Sequence, residues 1–191
     1  MEENKEMKIE ENKKLIEEFP FLLPRNRWTD EVSKDYDYSY TELDAMPPGW
    51  RKAFGIQMCQ EIKNALIKAN YLDDYRITQI KEKYGTLRWY DNGHPKEVGD
   101  IITKYDFLSM CYCVQCGNPA RYVSNGWVNY YCEDCKNKIL SHKEVSADFL
   151  SRLTEDDIPV RCTYTPGENG EIIKVENEIK DVDFKKLWGL D

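Results

Sequence analysis

Cys113-Val114-Gln115-Cys116, then fifteen residues, then Cys132-Glu133-Asp134-Cys135: these two cysteine pairs decide how the rest of the chain is read. Two thiolates separated by two residues turn toward one ion when the backbone makes a tight knuckle. Two such pairs at this distance match the spacing of a structural zinc site. Zinc accepts four sulfurs tetrahedrally, with no ligand-field preference to satisfy. The sequence therefore predicts one structural Zn²⁺ held by Cys113, Cys116, Cys132 and Cys135. Four cysteine ligands close the coordination shell, so this metal is expected to organise the fold and not to activate water.

The residues around the pairs supply a local fold. Gly117 follows Cys116, where a knuckle favours a residue tolerant of positive φ. Between the pairs, aromatic and β-branched residues flank Asn125-Gly126, the preferred dipeptide of a type I′ hairpin. Glu133 to Leu140 reads as a short helix, acidic at its start and basic later, as the helix dipole favours. Knuckle, hairpin and helix in this order resemble a treble-clef zinc finger. Cys111 lies two residues before Cys113 and is either a substitute ligand or a free thiol. Cys59 and Cys162 are isolated and read as small buried apolar side chains.

Composition narrows the class. The 191 residues are 41% hydrophobic and 13% aromatic, enough to build a core, and the formal charge is −8. That balance opposes broad electrostatic binding to nucleic acid, although a local basic patch remains compatible with it. No apolar run approaches the roughly 18 residues of a membrane span. The first residues, Met1-Glu2-Glu3-Asn4-Lys5-Glu6, carry no apolar export signal. The expectation is a cytoplasmic protein with reduced cysteines and no membrane partner, which sets aside two disulfides.

The fold class expected is α+β, in four stretches. Residues 1–48 form an irregular N-terminal arm that begins with a weakly amphipathic helix (Ile9, Ile16, Phe19). Residues 49–112 form an α-β-β-α unit. Phe54, Met58, Ile62, Ala65, Leu66 and Ala69 recur with a helical period. Ile77 to Tyr90 reads as a hairpin turning at Tyr84-Gly85, with Leu87 and Trp89 on one face and Arg88 and Tyr90 on the other. Val98, Ile101, Ile102, Tyr105 and Leu108 mark a second helix, which runs directly into the zinc module of residues 113–140. Residues 141–191 form a C-terminal extension. It carries a capping box over Ser141–Glu144, a short helix around Phe149, Leu150 and Leu153, a hairpin of Val160–Tyr164 with Glu171–Val175, and an apolar helical tail.

Several motifs in order resemble a family of uncharacterised bacteriophage and prophage proteins: Gly49-Trp50, Gln79-Ile80-Lys81-Glu82-Lys83-Tyr84-Gly85-Thr86-Leu87-Arg88-Trp89-Tyr90, the Cys113/Cys116 pair, Gly126-Trp127 and the Cys132/Cys135 pair. The similarity covers roughly residues 20–138. It implies phage origin, location in the host bacterial cytoplasm and zinc binding, and it brings no activity with it.

Three surfaces are candidates for function. Lys81, Lys83 and Arg88, interleaved with aromatics, could grip phosphate and stack a base. Tyr36, Tyr38 and Tyr40 lie in an acidic arm and either bind a partner or pack the arm onto the body. Phe184, Leu187 and Trp188 share one helical face and dock either on a partner or on the protein itself. An enzyme is not expected. A treble-clef nuclease of the HNH type needs histidines on the finger, and the two histidines, His94 and His142, lie elsewhere. The leading expectation is a phage accessory protein that binds a host protein, with inhibition of a host defence system as one such role. The alternative is nucleic-acid binding through the finger and the basic hairpin.

Overall fold

The computed structural model describes residues 2–142, 145–166, 172–177 and 179–190. Helix α1 (Glu2–Glu18) opens the chain. After an arm with two single 3-10 turns, a continuous helical run is built from α2 (Pro48–Trp50), a π turn (Arg51–Gly55) and α3 (Ile56–Lys68). Strands β1 (Ile77–Lys83) and β2 (Thr86–Asp91) and helix α4 (Lys96–Ser109) follow. The finger comprises β3 (Tyr122–Ser124), β4 (Tyr130–Tyr131) and α5 (Glu133–Leu140). Then come β5 (Leu150–Arg152), β6 (Arg161–Pro166), β7 (Ile172–Asn177) and α6 (Phe184–Trp188). This is α+β architecture with small antiparallel sheets, ordered β1-β2, β4-β3-β5 and β6-β7.

The main core follows from the periodicities. Helix α3 buries Met58, Cys59, Ile62, Ala65 and Leu66, one stripe of a 3.6-residue period. Strand β2 buries Leu87 and Trp89 and turns Arg88 and Tyr90 outward, the alternation of a half-buried strand. A bulge between Ile77 and Gln79 lets Ile77 and Ile80, three residues apart, both face the core. Tyr84 (φ 55°) and Gly85 (φ 75°) make the left-handed pair that a two-residue hairpin requires.

The arm is part of this core. Phe19, Phe21, Leu22, Leu43 and Met46 are buried in the same cluster as α3 and the β1–β2 hairpin. Asn12 on α1 is buried, and its Nδ2 donates to the Tyr38 carbonyl at 2.7 Å. Asp44 gathers three segments: it accepts from the Thr41 amide at 2.7 Å, from Arg51 at 2.5 Å, and lies 3.4 Å from Lys8 on α1.

One expectation for the C-terminal extension is corrected, and one alternative left open is decided. Leu150–Arg152 is a strand, not a helix: Leu150, Ser151 and Arg152 pair with Ser124, Val123 and Tyr122. The reason is non-local, since β3 offers its second edge and pairing satisfies both backbones. The apolar tail docks on the protein itself. Phe184 and Trp188 are buried with Met110, Cys111, Ala120 and Leu153, and half-buried Leu187 packs on the same cluster. The indole Nε1 of Trp188 donates to the Met110 carbonyl at 3.3 Å, and Arg121 Nη1 donates to the Leu187 carbonyl at 2.6 Å. Burial removes these side chains from the free surface a partner would need. The β6–β7 hairpin is antiparallel from Arg161↔Asn177 to Pro166↔Ile172. The proposed capping box reaches residues 143 and 144, outside the described residues.

Candidate metal centre and paired hairpin tips

The sulfurs of Cys113, Cys116, Cys132 and Cys135 all lie within 4.8 Å of one another, so the group can hold a metal ion. A tetrahedral ion with metal–sulfur bonds near 2.3 Å sets its sulfurs roughly 3.8 Å apart, a size these four positions suit. Cys116 and Cys132 are 3.4 Å apart, wider than the roughly 2 Å of a disulfide.

Local backbone explains the convergence. The Cys113 amide donates to the Asn118 carbonyl at 2.8 Å and the Gly117 amide returns to the Cys113 carbonyl at 3.0 Å, closing the knuckle. Cys132 sits at the N-cap of α5 and Cys135 in its first turn. Burial pushes the thiols of Cys132 and Cys135 up. At Cys116 burial acts the same way, but the Asn118 amide and the neighbouring thiols outweigh it and lower the pKa. Cys111 lies outside this group. It is buried in the cluster around Trp188, and burial pushes its thiol up to about 12.

The knuckle is seated on the body of the protein. The Gly49 amide donates to the Val114 carbonyl at 3.0 Å, and Trp50 Nε1 donates to the Tyr112 carbonyl at 3.2 Å. A Cβ at position 49 would overlap the Cys113 carbonyl, so only glycine permits this approach.

The second contact joins two turns. A Cβ at Gly85 would lie 2.8 Å from Val128 of the finger loop, so the β1–β2 turn presses directly on that loop. Tyr84 and Trp127, at the two tips, are 74% and 75% exposed and share a cleft of about 290 Å³ with Glu82, Lys83, Gly126 and Val128. Glu82 accepts from the Gly85 amide at 2.6 Å and so fixes the turn.

Register places Lys81 opposite Arg88 and Lys83 opposite Thr86, so the three basic residues share the outer face. Their environments differ. Arg88 is paired with Asp106 at 2.8 Å. Lys81 lies over the Tyr90 ring at 5.2 Å and Lys83 over the Tyr84 ring at 5.3 Å. In the arm, the Tyr36 and Tyr38 rings are 4.9 Å apart, and the Tyr36 hydroxyl donates to the Tyr40 carbonyl at 2.5 Å. Burial first, then nearby Tyr38 and acidic groups, push the Tyr36 pKa up to about 12. Tyr36 and Tyr38 are thus half-buried and engaged within the arm, while Tyr40 remains 41% exposed.

Sequence reasoning missed two features. The cleft shared by Tyr84 and Trp127 joins positions 43 residues apart; the only signal was that each stands at a turn. The second is a polar chain at the end of β2: Trp89 Nε1 donates to the Tyr75 hydroxyl at 2.9 Å, that hydroxyl donates to Asp91 at 2.8 Å, and His94 Nδ1 lies 2.8 Å from Asp91.

The chain was compared with protein-family models, curated proteins and solved structures, and none matches it. Among the described residues, no helix is long and apolar enough to cross a membrane.

Proposed function

We propose that this chain is a zinc-stapled binding protein, a cytoplasmic phage accessory factor that docks on a host protein through the paired hairpin tips. The observation that carries the reading is that Tyr84 and Trp127, two large aromatic side chains from separate turns, line one cleft and are left in water. Isolated exposed aromatics are common, but two that line one cleft between adjoining turns have the character of interface anchors. Four thiolates favour zinc among available metals, and a closed shell makes the ion a staple, in keeping with a protein that binds and does not catalyse. The charge of −8 favours a basic partner surface, as a defence nuclease or another nucleic-acid-handling protein would offer.

The test compares wild type with the Tyr84→Ala/Trp127→Ala double variant in pull-down from host lysate, followed by native mass spectrometry. One dominant protein held by wild type and lost by the variant supports the reading. Recovery of only background proteins by both overturns it.

A second reading, single-stranded nucleic-acid binding, is favoured by one observation: Lys81 and Lys83 share a face with Tyr90 and Tyr84. It requires binding that weakens with salt and falls when Lys81, Lys83 and Arg88 become Ala. Absence of any shift at low salt removes it.

A further inference from the structure

Away from the metal centre, the arm folds back on the start of β1 and encloses a cleft of about 320 Å³ lined by Arg25, Arg27 and Arg76, with Asp30 and Asp74. The lining thus holds three arginines and two aspartates in an otherwise acidic protein. Two of the guanidiniums are incompletely bonded: Nε of Arg25 and Nε of Arg76 are buried without a hydrogen-bond partner. Each guanidinium also makes a backbone bond: Arg25 Nη1 donates to the Asp30 carbonyl at 2.8 Å and Arg76 Nη1 to the Tyr75 carbonyl at 2.7 Å. Leaving a charged donor buried and unbonded is costly, and native structures seldom do so without a reason.

The nearest anion is the chain's own. One carboxylate oxygen of Asp30 lies 3.6 Å from Arg25 Nη1 and 3.8 Å from Arg76 Nε. Both distances exceed an ordinary hydrogen bond, so Asp30 compensates the charge without bonding either donor. Its side chain is 62% exposed, and its backbone is left-handed at φ 57°. A weakly held carboxylate over two arginine forks is readily displaced by an anion with better geometry. A tetrahedral phosphate offers several oxygens to paired guanidiniums at once, which a single carboxylate on a short tether does not.

We propose that the Arg25–Arg76 cleft is a phosphate site and that Asp30 is its internal placeholder. The shared chemistry is a phosphate oxyanion, free or carried as an ester. Trp28, 95% exposed and next in sequence to the lining residue Arg27, would be the nearest aromatic along the chain for the base of a nucleotide ester. The site lies outside the hairpin tips and is independent of their role.

The test is NMR of the arginine Nε–H groups during titration with inorganic phosphate, against sodium chloride of equal ionic strength. The expected result is a saturable shift of the Arg25 and Arg76 signals with phosphate and not with chloride. Asp30→Asn removes the competing carboxylate and should tighten binding by up to about fivefold, the scale of a partly exposed ion pair. Arg76→Gln should abolish saturation, with the backbone amide spectrum reporting that the fold persists; Arg25→Gln is the second variant should the first unfold. Adenosine monophosphate distinguishes the sources. Tighter binding than phosphate, with a shift of the Trp28 indole N–H, assigns an ester, and equal binding assigns the free ion. Shifts that fail to saturate, that chloride reproduces, or that Asp30→Asn leaves unchanged or weakens overturn the proposal.

Discussion

The two hairpins that touch at their tips are held up by different physics. In β1–β2 a six-pair ladder buries Ile77, Ile80, Leu87 and Trp89 against two helices. Each such side chain contributes roughly 1.5–3 kcal/mol by leaving water, so this hairpin is stabilised by its own sequence pattern. In β3–β4 the ladder has two pairs, Tyr122↔Tyr131 and Val123↔Tyr130. Its support comes from outside: the clustered cysteines at either end, which can hold a metal ion, the third strand β5, and α6 packed beneath. A hairpin without a core of its own can still be rigid if a bound ion and a distant segment hold it. The price is that its rigidity becomes conditional.

Metal removal should break this contrast most. A structural zinc site contributes on the order of 10 kcal/mol to folding, so chelation, or Cys113→Ser, should release the finger. Hydrogen exchange should show β3, β4 and α5 losing protection while β1–β2 keeps most of its own. Equal loss in both hairpins would show that they form one cooperative unit.

Trp188→Ala attacks the finger from the other side. Trp188 is 1% exposed, stacked on Tyr130 with ring centroids 6.4 Å apart and edge-on to Phe184 at 5.2 Å. Truncation should cost about 3–5 kcal/mol, measured by denaturant unfolding of the metal-loaded protein. A cost under 1 kcal/mol would mean that α6 docks too weakly to support β3–β4.

Gly49→Ala probes the junction between the two regions. The added methyl meets the Cys113 carbonyl, and overpacking of this kind costs about 1–3 kcal/mol. The distinctive expectation is a weaker metal affinity, read by competition with a chelating dye, because the knuckle itself must shift. Unchanged affinity would place the strain in the arm instead.

Asp44→Asn sharpens the comparison on the self-sufficient side. Burial pushes the Asp44 carboxyl up, but the Thr41 amide and the Arg51 guanidinium outweigh it, and its pKa lies below the ordinary value. A depressed pKa contributes stability that is complete above the unfolded carboxyl's value of about 3.9 and is lost as pH falls through the folded value. The substitution should cost about 1–3 kcal/mol at pH 7. The gap from wild type should narrow as pH drops below about 4, in urea melts at the two conditions. A gap independent of pH would assign the loss to packing and not to charge.

Legibility followed the range of the interaction. The four clustered cysteines, the outward and inward faces of β2, and the helices α3, α4 and α5 were readable because their signals repeat within a few residues. Asn125-Gly126 misled. Gly126 is left-handed at φ 87°, but the turn is not a two-residue I′ loop, since Ser124 closes it by pairing with Asn129. Asn125 is engaged elsewhere: its amide donates to the Phe149 carbonyl at 2.8 Å and its Nδ2 to the Asp148 carbonyl at 2.5 Å. A strong local preference yielded to a strand arriving from 25 residues downstream. Cys111 was ambiguous by spacing alone, and packing against Trp188 placed it in the core.

By itself the sequence determined where a metal can be held, which hairpin folds on its own pattern, and the α+β character of the chain, because cysteine spacing and hydrophobic period are local physical requirements. Only the tertiary structure decided that α6 turns inward, that β5 completes the finger sheet, and that the β1–β2 turn reaches the finger loop. Those outcomes depend on which surfaces reach one another once the core has formed, and no short-range pattern encodes that distance.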